Sequence, residues 1–344
     1  MINFAKCHLK CGQNRPCPKL VCSVLAIAFC VTGCGSHSQP RIAVIPQTDG
    51  TLQWEPVHTG AEADADRAGI AIYWNAPTRE DDIEAQIALV DRVVSSDFQG
   101  LVLAPDQGLA LITPVRRALA RGIPTVIIGS PLPIPPGGNL SYILNDDEEG
   151  GRIAAERASI LLNGRGTVAI LGINPDVAGI MIRLRAFEES VALHHPGIRI
   201  VDKRMGSFNA PHEQQVAEDT LRNNPKLDAI VSFMSTTTDG ALSAIGTAHE
   251  SGSVKVIAFD SAGASGLPSF EQNPRLDCVI QEDARSMGEQ AVELIHAKLL
   301  GRSVPAMVHL HPIVLTRDNI NSSETRRMLS MDFELGRWRW TTAQ

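Results

Sequence analysis

Three kinds of side chain in this sequence could do chemistry: adjacent carboxylates, neighbouring histidines and clustered cysteines. The carboxylate pairs are Asp81-Asp82, Asp146-Asp147 and Glu188-Glu189. Adjacent residues on a helix point apart, so these pairs do not share a proton and read as helix caps and solvated faces. His194-His195 precedes Pro196-Gly197 at a predicted helix end, where imidazoles meet terminal carbonyls. His309 and His311 alternate along a predicted strand, but no third metal ligand lies nearby in sequence. Gly150-Gly151 lacks the Lys and Ser/Thr of a phosphate loop, and no nucleophile elbow occurs. Cys7, Cys11, Cys17, Cys22, Cys30 and Cys34 crowd the first 34 residues at spacings too irregular for a metal site. These residues point to no enzyme, no metal and no cofactor.

The cysteines lie in a segment built for export. Lys6, Lys10, Arg15 and Lys19 precede an apolar run, Leu20 to Gly33, and no acid interrupts them. The run falls short of the about 20 residues that span a bilayer. It ends Val31-Thr32-Gly33-Cys34, which resembles the lipobox of bacterial lipoproteins. That resemblance implies a signal peptide over 1–33, cleavage before Cys34, a lipid on Cys34 that holds the chain to a membrane, and a linker over 34–40. An ordinary signal peptide that happens to contain Cys34 is the plainer alternative. The cleaved chain would keep Cys34 and Cys278 alone, so no disulfide supports the fold. Cleavage also removes four positive and no negative charges, taking the formal net charge from -7 to -11. Such an acidic chain is a poor partner for nucleic acid, which needs clustered Lys and Arg.

What remains, about 310 residues, suggests two domains at roughly 100–200 residues each. From Arg41 onward short apolar runs alternate with amphipathic stretches. The runs begin at Arg41, Ile70, Gly100, Ile123, Thr167, Ile198, Asp228 and Val254. Helical patterns start near Asp81, Leu109, Glu149 and Asp283, with aspartates as caps and Gly122, Gly164 and Gly301 as stops. Unbroken Val/Ile runs spaced by helices are what a parallel sheet covered on both faces requires. The expected fold is α/β, two doubly wound Rossmann-like lobes in sequence. Ligands of such sheets bind at the carboxyl ends of the strands, which directs attention to the residues just after each run.

The order of segments resembles the type I periplasmic sugar-binding proteins, the ribose-binding-like group that feeds ABC transporters. The markers are GAEADADRAGI, APDQGLALITPVRRALARGIPTV, YILNDDEEGGRIAAE, RLRAFEESV before HHPGIRIV, VIAFD, MGEQAVELI and PIVLTRDN, covering 41 to about 320. The resemblance implies a periplasmic binding protein fold with a three-segment hinge near Asp146, Gln281 and His311. The first lobe would be 41–146 plus 283–310, the second 147–281 plus 312–320, with a C-terminal tail over 321–344. It also implies a pocket in which aromatic faces hold a sugar ring and charged groups bond its hydroxyls. By position, Trp54 and Phe208 take the aromatic places, and Arg183 and Asp260 the ligand-binding arginine and aspartate. Each has a blander reading: core packing for Trp54 and Phe208, a surface helix place for Arg183, a turn cap for Asp260.

Departures from the pattern matter as much. Gln53 stands where ribose binders place a second aromatic, Ala104 replaces an asparagine, and Gly129-Ser130 replaces an aspartate-arginine pair. Met234 falls where asparagine is usual, and Glu282 where glutamine is usual unless Gln281 takes that place. Partners for several hydroxyls are missing, so the expected ligand is not ribose but another sugar or small polar molecule. Gln47, Thr51, Asp106, Gln107, Ser235 and Thr236 are substitute contacts. The implied role is a monomeric solute receptor that passes a small polar ligand to ABC permease subunits. The alternative is a ligand sensor that signals to a chemoreceptor or sensor kinase. A lactose-repressor-type regulator shares the lobes, but the export signal occupies the place of its helix-turn-helix. The ending from Asn321, where Trp338 and Trp340 alternate with Arg337 and Arg339, reads as a frayed terminus, with a membrane-surface or partner-binding tail as the alternative.

Overall fold

The structure is a computed structural model that describes residues 39–49, 52–79, 81–247, 253–260 and 270–329. The export segment with Cys34, Thr51 and the tryptophans of the C-terminal tail lie outside the described residues.

Strands and helices alternate as the apolar pattern requires. The first lobe runs β1 (Arg41–Ile45), α1 (Glu55–Ala68), β2 (Ala71–Trp74), α2 (Ile83–Ser95), β3 (Gly100–Leu103), α3 (Ile112–Ala120), β4 (Thr125–Gly129) and β5 (Leu140–Asn145). The second runs α4 (Asp147–Leu161), β6 (Gly166–Ile173), α5 (Ala178–His194), β7 (Ile198–Met205), α6 (Ala210–Asn223), β8 (Ala229–Ser232), α7 (Ser235–Thr247), β9 (Lys255–Phe259) and β10 (Leu276–Gln281). The chain then returns to the first lobe with α8 (Ala284–Leu299) and β11 (Met307–Leu310). It ends in the second with β12 (Ile313–Leu315) and α9 (Ser323–Leu329).

The sheets have matching orders, β11-β5-β4-β3-β1-β2 and β12-β10-β9-β8-β6-β7. Every pairing is parallel except β10 with β12. Three passages join the lobes: Asn145 to Asp147, Gln281 to Ala284, and Leu310 to Ile313. The two doubly wound α/β lobes with a three-segment hinge, expected from the sequence, are thus present.

Alternation along each strand feeds two cores per lobe. In β1, Ile42 and Val44 join Val57, Ala61, Val292 and Ile295 of α1 and α8, while Ala43 and Ile45 join Val90, Val93 and Val115 of α2 and α3. In β6, Val168 and Ile170 face Ala154, Ala158 and Phe187 of α4 and α5, while Ala169 and Leu171 face Ala217 and Ala244 of α6 and α7. Cys278 is fully buried in this second lobe, and burial pushes its thiol up to about 12, which leaves it inert.

Two glycines set how closely helices cross. A Cβ on Gly288 would lie 2.0 Å from the Val57 carbonyl oxygen, so α8 can press onto α1 only without one. Gly151 does the same for α4 on α5, where a Cβ would lie 2.3 Å from the Arg183 carbonyl oxygen. The second contact fixes the backbone that carries Arg183.

Elsewhere local chemistry matches the reading. Asp82, Asp146 and Asp283 cap α2, α4 and α8 by accepting from Ala85, Glu149 and Ser286 backbone N–H groups. Two details differ. β11 ends at Leu310, so His311 lies in the third passage rather than on a strand with His309. Residues assigned to a frayed tail begin with α9, whose Met328 and Leu329 bury themselves beside Leu315 and Ile320. Two apolar side chains buried in that core suffice to dock the turn.

Candidate functional site

Arg183 sits in the second turn of α5 with only 6% of its surface exposed. A buried guanidinium needs counter-charge, and three carboxylates supply it. Its Nε donates to Asp147 Oδ1 at 2.6 Å and an Nη1 hydrogen to Asp260 Oδ2 at 2.7 Å, while Nη2 donates to Glu282 Oε1. The guanidinium plane also lies 4.8 Å from the centre of the Phe259 ring. Sequence position had paired Arg183 with Asp260, and the fold brings Glu282 to the same guanidinium.

These groups arrive from separate elements. Asp147 opens α4 just after the first passage, Asp260 follows β9, and Glu282 lies in the second passage. Asp260 adopts a left-handed backbone, φ 46°, which aspartate tolerates and which turns its carboxylate inward. Its Oδ1 accepts the Glu282 backbone N–H at 3.2 Å, so one side chain serves both the guanidinium and the hinge. The third passage joins through Asp146: its backbone N–H donates to Leu310 O at 2.8 Å, and its carboxylate lies 3.6 Å from His311 Nδ1. A small cavity lined by Asn145, Asp147, Arg183, Phe259, Glu282 and Pro312 opens here.

Electrostatics in the cluster are unbalanced. Burial, with Asp260 close by, pushes the Glu282 carboxyl up to about 8. Burial also raises Asp147, more than Arg183 lowers it. Arg183 stays firmly protonated, because Asp260, Asp147 and Glu282 outweigh the burial that opposes its charge.

Asp147 is the residue that sequence reasoning missed. It read as a cap or a solvated face, yet its side chain is only 10% exposed. Asp146 takes the cap, and Asp147 turns into space left by Gly179, where a Cβ would lie 2.6 Å from its Oδ2. A glycine at the start of α5 was the only available signal, and it has no meaning until α4 and α5 are packed.

The first lobe presents a different edge. Gln47, after β1, donates through Nε2 to Pro105 O at 3.0 Å. Gln86, buried in α2, donates to Pro46 O and Ala104 O and accepts the Asp106 N–H, and so ties the loops after β1 and β3 together. Asp106 Oδ2 is buried without a hydrogen-bond partner, and burial beside Asp81 pushes that carboxyl up to about 6. Gln107 caps its own turn through the Ala110 N–H. Trp54 is 8% exposed within the core, beside the position a Gly129 Cβ would take. Gln53 is exposed and Ser130 half-buried at the end of β4.

In the second lobe Phe208 is 45% exposed beyond β7, open for stacking. Met234 packs in the core beside Gly172 and Gly206. Ser235 is half-buried at the start of α7, and Thr236 donates to Ser207 O at 3.0 Å. Buried Glu213 holds that corner by accepting from Ser207 N–H, Ser207 Oγ and Thr237 Oγ1.

Two mostly parallel sheets joined three times, with a charged cluster at the joint, define a two-lobed binding protein of the periplasmic type. The chain belongs to the periplasmic binding protein domain family, whose pattern matches residues 42–303. It is 26% identical over 265 residues to the D-ribose/D-allose-binding protein of Pseudomonas aeruginosa, covering 70% of this chain and 80% of that one. It is 23% identical over 276 residues to the D-allose-binding periplasmic protein of Escherichia coli, covering 76% and 86%. Among solved structures it resembles an ABC transporter solute-binding protein of Agrobacterium vitis bound to α-D-tagatopyranose. There the TM-score is 0.75 at 24% identity, with 84% and 99% covered. A carbohydrate transporter solute-binding protein of Agrobacterium radiobacter in complex with D-arabinose gives a TM-score of 0.74 at 22% identity, with 86% and 100% covered.

Proposed function

We propose that this protein is an exported solute receptor that closes its lobes on a small polar ligand, a sugar or a close relative. It presents the closed form to the permease of an ABC transporter. The observation that carries the reading is the cluster of Arg183, Asp147, Asp260 and Glu282, which stands at the joint between lobes in a chain of this family. Ligand groups that bond there bridge the elements on which closure turns, so binding favours the closed state through its differential affinity. Phe208 offers a ring face for a pyranose or furanose, with Gln47, Ser130 and Ser235 at the strand ends as polar contacts. Thr51, Gln53, Trp54 and Met234 complete the candidate set, Trp54 and Met234 acting as the floor beneath it. We read the cluster as a binding device, since Arg183 holds each of its three carboxyl groups in place. A lipid on Cys34 would hold the receptor at the outer side of a membrane.

A thermal-shift screen of the purified protein against sugars and related polar metabolites tests the reading. A ligand present at 100 times its Kd adds about 2.7 kcal/mol of stability and raises the melting temperature accordingly. A screen in which no sugar or polyol moves the transition overturns it. Cys34→Ser tests the anchor: the protein is expected to leave the membrane fraction.

A further inference from the structure

The sign of the charge at the strand ends points to a ligand class. Arg183 is the one cation in the hinge cluster, and its Nε and both Nη atoms are bonded to carboxylates. Three carboxylates therefore surround one guanidinium. The loops that follow β1, β3 and β4 carry Asp49 and Asp106 and no Lys or Arg in their sequence. Arg79, after β2, is 80% exposed and paired to Asp82. Two acceptor atoms, Asn145 Oδ1 and Asp106 Oδ2, are buried with no hydrogen-bond partner, and Asn145 lines the same cavity as Arg183 and Glu282. Glu282 lines that cavity with 24% of its side chain exposed, and Asp260, 18% exposed, lies next to it through the Glu282 backbone N–H.

We propose that the ligand is a polyol bearing an ammonium group, such as an amino sugar, and that Asp260 and Glu282 are its anionic acceptors. Arg183 is then a positioning residue that holds both carboxylates in place. The inference rests on the receptor reading and adds to it the charge of the ligand.

A hydroxyl can donate to these carboxylates but brings no charge, whereas an ammonium balances the cluster and donates three hydrogen bonds. Without a ligand the cluster keeps a proton instead. The groups acting on Glu282 are Asp260 after β9, Arg183 on α5 and Asp147 on α4, while Asp146, paired to His311, lines the same cavity. Burial first, then the charges of Asp260 and Asp147 against that of Arg183, push the Glu282 carboxyl up to about 8, so it is held protonated at neutral pH. An arriving ammonium displaces that proton. Binding of the ammonium form therefore releases a proton and tightens as pH rises, up to the pH at which the amine itself loses its proton. An acidic rim also draws cations in and turns anions away.

Isothermal titration of the protein with a panel decides the point. The panel holds hexosamines and pentosamines, their N-acetyl derivatives, the parent sugars and the matching uronates. The expected result is an amine that binds about tenfold or more tighter than its parent sugar and its N-acetyl form, with uronates weakest. Titration in buffers of different ionisation enthalpy should show proton release near neutral pH. Glu282→Gln should abolish that release and the preference for the amine together, which a purely structural Glu282 would not do. A parent sugar, N-acetyl sugar or uronate that binds as tightly as the amine overturns the charge inference and leaves the receptor reading standing. Silence across the whole panel overturns both.

Discussion

The two lobes share a plan and differ at the edge that faces the cleft. Strand order matches strand for strand, and each lobe crosses a helix pair at a glycine. At the strand ends the first lobe is organised by neutral amides: Gln86 binds three backbone groups and Gln47 a fourth. The second lobe is organised by a buried arginine and its carboxylates. Amide bonds fix loops at modest cost in desolvation, whereas buried charges are stable only as a complete set. The architecture is therefore common to both halves, and the chemistry is concentrated in one of them. It sits on the hinge, where it can influence both.

The largest test of that contrast removes its centre. Arg183→Met leaves Asp147 and Asp260 without counter-charge and Glu282 without its donor, and is expected to cost about 3–5 kcal/mol in urea unfolding. Gln86→Leu, the matching deletion in the first lobe, should cost about 1–3 kcal/mol. Equal losses would break the comparison.

The glycine crossings come next. Gly288→Ala and Gly151→Ala each force a Cβ into a carbonyl oxygen and should lose about 1–3 kcal/mol by overpacking. Only Gly151→Ala moves the backbone of Arg183, so it alone should also weaken ligand binding; equal effects of the two on binding would count against a site centred on that arginine.

The smallest effect sharpens the comparison through pH. His58, stacked at 4.2 Å on Trp74, is raised to about 9: burial lowers it, but hydrogen bonds and charge from Glu55 and Glu62 raise it further. Its folded pKa lies above its unfolded value of 6.5, so its stabilisation is full below about pH 6.5 and lost as pH rises towards 9. His58→Gln should cost about 1 kcal/mol more at pH 6 than above pH 9.5, where only the loss of the stacked ring remains, read as the difference in melting temperature. Glu282 shifts the same way for the opposite reason. It is an acid held neutral, so its cost grows from its usual 4.5 towards 8. The ligand-free protein should accordingly melt higher at pH 5 than at pH 8, and His58→Gln should remove only part of that slope.

Much of the fold was legible because it depends on periodicity. Apolar runs the length of strands, spaced by amphipathic helices with Asp caps and Gly stops, predict covered parallel sheets. Caps at Asp82, Asp146 and Asp283 follow from local hydrogen bonding that neighbours in sequence can supply. The strands β5, β10, β11 and β12 stood outside the pattern of apolar runs. The last two are short and half exposed, with no run to mark them.

The residues of the candidate site could be nominated one by one, but their relations could not. Arg183, Asp260 and Glu282 could be nominated from where they fall after strands and within motifs. That Asp147 joins them, that Arg183 spends its donors on all three, and that Trp54 and Met234 turn inward are outcomes of tertiary packing. Asp147 lies 36 positions from Arg183, and Glu282 lies 99. Chain order says nothing about distances of that kind. By itself the sequence determined the elements, their order and the acidity of the strand ends, because those follow from local propensity and composition. Only the folded chain decided which charges meet and which remain unbalanced, because burial and proximity set the cost of every charge.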